Sequence, residues 1–522
     1  MNDEAQLTDA HDADRATLDE LTHTRLLELA QERDVEGRSS MDKQQLVEAL
    51  LSGDDEDGRA DGVPQTGEGQ RPAGSRFEAF RELAAARARG EMVFLPRMLT
   101  GNDRRVHVRQ TIREDHQVRI ANHDSQAQAK FDKLDGSLFS FFRGTCLLFY
   151  RDMAGEDAWM PTVLTLGDVH PENFGVMPSA DNVPIFGSND FDEAFYAPFT
   201  WDLKRGATGF VIAAGEIGEH GAKRAAKIVR AFVAGYLDAL RSYAGSGTEH
   251  HEQVRQDNAP ALVARLIEDA QQSRSDWLER KYLDEYKRGF RADDEHAPVS
   301  HRREEFQDAL DRFVADSGVE VPDRTPRMKV KDVCVRLGQG TASLGLPRYY
   351  LLVEGPNADG TDDVIIEFKQ ARRSALAGLV PPSDYVLDGN AERISHAQGV
   401  HLVRGDRFYG AVELDGLSFM VRERSPYREK IDLAGLTKKQ WAEYAGHCGR
   451  SLAHSHAMSD ESGLVDYDLE PAILAAVGPQ ELFVYDIVRF AAETADRVRS
   501  DHEHFRADHR LDAFRSIDHV YR

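Results

Sequence analysis

The sequence is short of cysteine, of positive charge and of long apolar runs. Only Cys146, Cys334 and Cys448 occur in 522 residues, far apart and odd in number. That excludes a disulfide framework or a zinc knuckle and suits a reducing compartment. Lys and Arg number 65 against 90 Asp and Glu, a formal net charge of -25. A general nucleic-acid-coating role is excluded, and a self-repelling protein is expected. No uninterrupted apolar stretch is long enough to span a bilayer, and the best candidate is broken by Arg143. The opening Met-Asn-Asp-Glu-Ala is acidic and carries no apolar signal core, which predicts a cytoplasmic protein. No Gly-x-x-x-x-Gly-Lys-Ser/Thr is present, so the P-loop class is excluded.

With 41% hydrophobic residues the chain has apolar material for two or three domains. Residues 1–15 read as a disordered polar tail. Over 16–52 the pattern is helical, with Leu18, Leu21, Leu26, Leu27 and Leu29 near helical spacing. Gly37 suits a turn, and Ser40 with Lys43 and Gln44 starts a second helix with the apolar face Leu46, Val47 and Leu50. Residues 53–75 form an acidic linker without a periodic apolar face. An α+β fold is predicted beyond it. Residues 76–325 make a mainly helical lobe, 326–430 a β-rich lobe, and 431–522 helices that complete the helical lobe.

The chemistry gathers at Leu164-Thr-Leu-Gly-Asp-Val-His-Pro-Glu-Asn-Phe-Gly175. The apolar run Val163 to Leu166 predicts a buried strand, and Asp168, His170 and Asn173 follow on a loop. Ile185 and Phe186 predict a second strand leading to Asp190 and Asp192. A strand–loop–strand hairpin of this kind brings two acids and an amide together. Phosphoryl transfer needs such a set: a carboxylate to orient or deprotonate the acceptor hydroxyl, and oxygen ligands for Mg²⁺ on the nucleotide phosphates. Asp168 is the expected base. Asn173 and Asp190 are the expected metal ligands, with Asp192 assisting. His170 supports the loop. Arg143, in Phe142-Arg-Gly144, could offer a guanidinium to phosphate, although on its own the stretch reads better as an aromatic core strand followed by a turn. Asp202 caps the long Ala-rich helix predicted from Pro198 to about Tyr243, or braces the loop.

From Lys329 the period changes to that of strands. Val333-Cys-Val-Arg-Leu337 leads into the glycine-rich turn Gly338-Gln-Gly340, then come Arg348-Tyr-Tyr-Leu-Leu-Val-Glu354 and Val364-Ile-Ile-Glu-Phe-Lys369. Gly338 and Gly340 would let backbone N–H groups approach phosphates, and Lys369 on the third strand would reach the same phosphates. Alternation sets Ile365, Glu367 and Lys369 on one face. Glu392, on a helix predicted over 390–400, is the expected carboxylate partner of Lys369.

Several of these stretches resemble known families. Gly-Asp-x-His-Pro-x-Asn followed by Asp-Phe-Asp-Glu-Ala resembles the catalytic loop and metal segment of aminoglycoside and choline kinase-like phosphotransferases. The glycine hairpin with Lys369 resembles the nucleotide lobe of protein kinase-like enzymes. Phe142-Arg-Gly144, Gly167-Asp-Val-His-Pro-Glu-Asn-Phe-Gly175, Asn189-Asp-Phe-Asp-Glu-Ala194, Trp201-Asp-Leu-Lys-Arg205, Phe368-Lys-Gln-Ala371 and Leu452-Ala-His-Ser-His-Ala457 together resemble the domain of unknown function 2252 family over about residues 76–522. Glu36-Gly-Arg-Ser-Ser-Met-Asp-Lys43 resembles the N-terminal helical module of the transcription terminator Rho, related in shape to SAP modules. That resemblance implies a contact with nucleic acid, or with protein, through residues 16–52.

In kinase-like chains the glycine hairpin and lysine precede the catalytic loop. Here they follow it, so the resemblance implies a circularly permuted, two-lobe kinase-like fold. The implied activity is transfer from ATP or another nucleotide, with Mg²⁺, to a hydroxyl acceptor such as a small molecule. One alternative is a two-metal phosphoesterase using Asp168, His170, Asn189, Asp190, His454 and His456. Another is a nucleotide-binding protein without turnover, carrying an N-terminal adaptor.

Overall fold

The computed structural model describes residues 22–32, 41–51, 76–121, 125–338, 346–383, 385, 387, 389–427, 429–461 and 463–515. The chain divides into two compact units, Met1–Ala73 and Gly74–Arg522. The first contains helices α1 (His23–Glu32) and α2 (Lys43–Leu51). Leu26, Ala30, Leu46, Val47 and Leu50 bury against one another. The start of α2 is set by a reciprocal pair: the Gln45 amide donates to Asp42 Oδ1, and the Asp42 amide to Gln45 Oε1, both at 2.9 Å. Asp42, not Ser40, therefore caps the helix. The predicted tail 1–15, Leu18, Leu21, Gly37, Ser40 and the linker 53–75 lie outside the described residues.

The second unit opens with helices, among them α3 (Gly101–Asp115), α4 (Leu138–Gly144) and α5 (Cys146–Met153). The aromatic run at 139–142 is thus helical. Phe139, Phe141 and Phe142 are all buried, which needs helical side-chain directions instead of strand alternation. Four short strands follow: β1 (Thr162–Thr165), β2 (Phe174–Pro178), β3 (Pro184–Ser188) and β4 (Phe195–Pro198). The expected hairpin of 163–166 with 185–186 does not form. β1 pairs with β4, and β3 pairs with β2, all antiparallel. The loop between β1 and β2 and the loop between β3 and β4 consequently leave the same end of the small sheets.

The long helix expected over 198–243 is two helices, α6 (Phe199–Glu216) and α7 (Ala222–Ser246). The break carries Gly218, Gly221 and Glu219 at φ 50, a left-handed residue that no helix continues through. Helices α8 (Ala261–Asp269) and α9 (Arg274–Lys281) come next, then β5 (His296–Pro298) and α10 (Arg303–Ser317). β6 (Val330–Arg336), β7 (Arg348–Val353) and β8 (Val364–Gln370) follow, then α11 (Ala391–His401), β9 (Gly410–Leu414) and β10 (Leu417–Arg424). The chain continues with β11 (Glu429–Lys430), which pairs with β2, and with α12 (Lys438–Ala457) and α13 (Gln480–His509). A capping box of Thr437 and Gln440 starts α12. Among the described residues no single helix is long and apolar enough to cross a membrane.

Strands β5 to β10 make one six-stranded antiparallel sheet in the order β5-β6-β7-β8-β10-β9. Asp415 and Gly416, at φ 53 and 71, form the two-residue turn between β9 and β10 that a right-twisted hairpin favours. One sheet face packs Val333, Leu351, Ile366, Phe368 and Val421 against Phe306, Leu310 and Phe313 of α10. The opposite face packs Cys334, Tyr350, Leu352 and Ile365 against Trp277, Leu278, Tyr282 and Phe290. The segment 274–317 therefore belongs with the sheet, whereas α8 joins the helical core. Charged residues alternating along a segment hide this, because each helix buries only one narrow apolar stripe.

Candidate active site

The loop after β1 is fixed from several directions. Asp202, fully buried on α6, accepts the amides of Leu166 (2.7 Å) and Gly167 (3.0 Å). His456 of α12 donates from Nε2 to Asp202 at 3.2 Å, and the Tyr236 hydroxyl meets His456 Nδ1 at 2.8 Å. Asp202 thus braces the loop. On the other side the Tyr150 hydroxyl donates to the Gly167 carbonyl. The Tyr444 hydroxyl spans the carbonyls of Pro171 (2.6 Å) and Phe174 (3.2 Å). A loop held at this many points keeps its side chains in one geometry.

Gly167 is obligatory. Its φ is +79, and a Cβ there would lie 2.2 Å from the Glu193 carbonyl oxygen. Gly167→Ala is expected to cost about 1–3 kcal/mol, from left-handed strain and backbone displacement. A urea titration checks this; an unchanged midpoint would mean that the turn relaxes freely.

Asp168 reaches Arg205 of α6, whose Nε and Nη2 both donate to Oδ1, Nε at 2.9 Å. Oδ2 keeps no such partner and stands 3.8 Å from His170 Nε2. Arg205 is fully buried, its guanidinium 4.4 Å from the Phe142 ring centroid and 5.1 Å from that of Phe149. The Asn173 side-chain amide donates to the Asp168 carbonyl at 2.7 Å, and its own oxygen is an acceptor. The Asn189 amide donates to the Asn173 carbonyl at 3.1 Å and joins this loop to the one bearing Asp190.

His170 is buried, and Nδ1 accepts the Glu172 amide at 3.2 Å. Burial, reinforced by Arg143, pushes its pKa well below the ordinary value, so the ring is neutral. Arg143 pairs with Glu172 at 2.6 Å and lies against His170 at 3.2 Å. Lys430 of β11 approaches the same glutamate at 3.9 Å.

Asp192 and Lys369 form a direct ion pair. They are 177 residues apart in the chain, one on the loop after β3 and one on β8. Burial opposes the Asp192 charge, yet Lys369, with Arg422 and Arg348, holds its pKa below the ordinary value. Asp190 goes the other way: burial and the adjacent Asp192 raise its pKa. Two carboxylates at one site, only one satisfied by a cation, leave a place where a further cation is favoured. Asn173, Asp190 and Asp192 are oxygen donors suited to Mg²⁺.

Glu392 does not join the group. It is exposed at the start of α11, and Asp192 takes the partner role expected of it. The neighbouring Arg393, nearly fully buried, enters instead, donating to the carbonyls of Asp192 (2.8 Å) and Ala194 (2.6 Å). Gly338 follows β6 at φ +69, with open space where a side chain would project. Gly340 lies outside the described residues. Glu367 is fully buried and bound by Arg422 across the β8–β10 pair, with Arg348 at 3.5 Å on β7.

Arg205, Arg393 and Tyr150 were not among the expected site residues, and His456, expected only as a ligand of the alternative phosphoesterase, braces Asp202. Arg205 had a signal, since it lies three residues after Asp202 and the same turn also holds Lys204, a cluster of charge in a mostly buried helix. Arg393 and Tyr150 had none, because what they bind is backbone carbonyl, which any sequence supplies.

Residues 123–508 match the family model described as an uncharacterized protein conserved in bacteria (DUF2252), and the chain belongs to that family. No curated protein and no solved structure matches the chain.

Proposed function

We propose that the second unit is a Mg²⁺-dependent phosphotransferase using ATP or another nucleotide, with a kinase-like two-lobe arrangement in circularly permuted order. The observation that carries this reading is the meeting of Lys369 with Asp192 beside Asp190 and Asn173. The ion pair joins the strand lysine to the acidic loop despite their reversed order in the chain. Asn173, Asp190 and Asp192 would hold the metal, which supplies charge neutralisation on the transferring phosphoryl group. Asp168 orients the acceptor hydroxyl through Oδ2. With Oδ1 occupied by Arg205, its part is more positioning than proton removal.

Glu367 refines the donor. The strand position that would face a nucleobase is an ionic cluster with Arg348 and Arg422. A nucleotide here is held chiefly through its phosphates, with Lys369 and Arg348 as partners. Transfer of a nucleotidyl group uses the same residues. The two-metal phosphoesterase reading loses two ligands: His456 is committed at both nitrogens, and His454 donates to the Glu249 carbonyl at 3.0 Å.

The test is thermal unfolding with ATP and GTP, with and without Mg²⁺. At ligand near 100 Kd, a shift of roughly 3–5 °C is expected for the wild type. Asp190→Ala and Lys369→Ala should both abolish it. No nucleotide shift, together with a shift by Mn²⁺ or Zn²⁺ alone, would move the assignment to the metal hydrolase. A nucleotide shift without turnover on a broad acceptor panel would favour the binding protein. The two-helix first unit is proposed as an adaptor for nucleic acid or protein.

A further inference from the structure

A second cavity lies behind β3, bounded by α8, the end of α11 and α12. Its volume is about 420 Å³, the scale of a metabolite site. Asp168, Asn173, Asp190 and Lys369 are not among its lining residues. One wall is apolar, formed by Ile185, Phe186, Val254, Val263, Leu402 and Val403. The other is polar and comes mostly from one stripe of α12: His447, Ser451, His454 and Ser455, at helical spacing.

The polar wall includes imidazole nitrogens that are buried without a partner. His401 is fully buried. Its Nδ1 lies 2.9 Å from the Ser455 carbonyl, so Nδ1 carries the proton and Nε2 is a bare lone pair. That Nε2 is buried and has no partner, and the same holds for His447 Nε2. His454 spends its Nε2 proton on the Glu249 carbonyl. Burial pushes the pKa of His401 down to about 3 and lowers those of His447 and His454. These rings therefore carry no charge near neutral pH. The one guanidinium on the wall, Arg450, is neutralised by Glu252 through two bonds of 3.0 and 2.9 Å.

We propose that this cavity binds an uncharged, metabolite-sized molecule with hydroxyl or N–H donors on an apolar body. Neutral imidazole lone pairs accept from such donors, and a buried acceptor left unpaired is unfavourable until one arrives. Among the described residues that line it, the one guanidinium is already paired, which separates this site from a phosphate-binding one. The site is also mechanically close to the acidic loop. The His401 ring stacks on Phe191, at 5.6 Å and 19°, and Phe191 stands between Asp190 and Asp192.

Gly187 provides the control. It lies in β3, and a Cβ there would meet Met177, Ser451 and Leu402 at 3.5, 3.8 and 3.9 Å, ordinary contact distances at the cavity wall. Gly187→Ala is tolerated, whereas Gly187→Leu fills the space. Saturation-transfer NMR on the full chain uses cyclohexanol and 4-ethylphenol as probes, beside cyclohexanecarboxylate and 4-ethylphenyl phosphate. The neutral probes should bind wild type and Gly187→Ala. Binding should weaken about tenfold in His401→Phe, the loss of one buried hydrogen bond, and vanish in Gly187→Leu. Should that last variant fail to fold, Ser451→Leu blocks the cavity from the facing wall. Equal signals from anionic and neutral probes, neutral binding unaffected by the blocking substitution, or no neutral binding at all would each overturn the proposal. None of these readouts depends on nucleotide binding at the acidic loop.

Discussion

Asp168→Ala is expected to destabilise the second unit by about 3–5 kcal/mol, the penalty for stranding a buried charge. This is the reverse of the usual outcome at a functional loop, where removing a polar residue costs little or relieves strain. The reason is Arg205. It has no exposure to solvent, and Asp168 is the one carboxylate its hydrogen bonds reach. The rings of Phe142 and Phe149 soften the loss without replacing a counter-charge. Arg205→Met should cost less, because Asp168 retains 14% side-chain exposure and can hydrate or take a proton. The double variant Asp168→Ala/Arg205→Met should recover most of the loss, giving a coupling energy of about 2–3 kcal/mol. Urea titration followed by tryptophan fluorescence reads all four proteins, since Trp159, Trp201, Trp277 and Trp441 all lie in this unit. A neutral Asp168→Ala would show that Arg205 finds water or another partner.

Between pH 7 and pH 5 the protein is expected to lose about 4 kcal/mol through two histidines alone, about 2 kcal/mol each. Burial lowers His107 to about pKa 2 and His401 to about 3. In the unfolded chain both titrate near 6.5. A depressed native pKa means that the unfolded state binds more protons as the pH falls. Their contribution is therefore complete above about pH 6.5 and is lost progressively as pH falls toward the native values. His107 sits among Arg104, Arg151 and Arg76, which add to the effect of burial. Urea midpoints at pH 7, 6 and 5 give the slope. His107→Phe should flatten it by about 1.4 kcal/mol per pH unit below pH 6. An unchanged slope would mean that the imidazole charges inside the fold at little cost.

The sequence spoke clearly where chemistry is crowded into one stretch. Gly167 to Gly175 and Asn189 to Ala194 come together, the Asn189 amide donating to the Asn173 carbonyl. Strand assignment in the second half was equally legible, because β6, β7 and β8 were read as strands and pair in that order. Pairing partners were not. β1 binds β4 instead of β3, and β3 binds β2. Glu392 was selected over Asp192 as the partner of Lys369 because sequence spacing cannot say which of several acids lies across a cleft. The insert 274–317 looked like more helical layer, since a charged helix with one apolar stripe reads the same whatever it covers.

Arg104 sits between Asp152 and Asp501, bonded to both at 2.6–2.8 Å, and Asp501 lies 397 residues farther along. At a synthesis rate of about 5–20 residues per second, roughly 20–80 s separate the appearance of the arginine from that of its second acid. During that interval α3 and α5 exist without α13, and the first helices of the unit have no lid. The ribosome thus delivers the last piece of the ion triad long after its arginine.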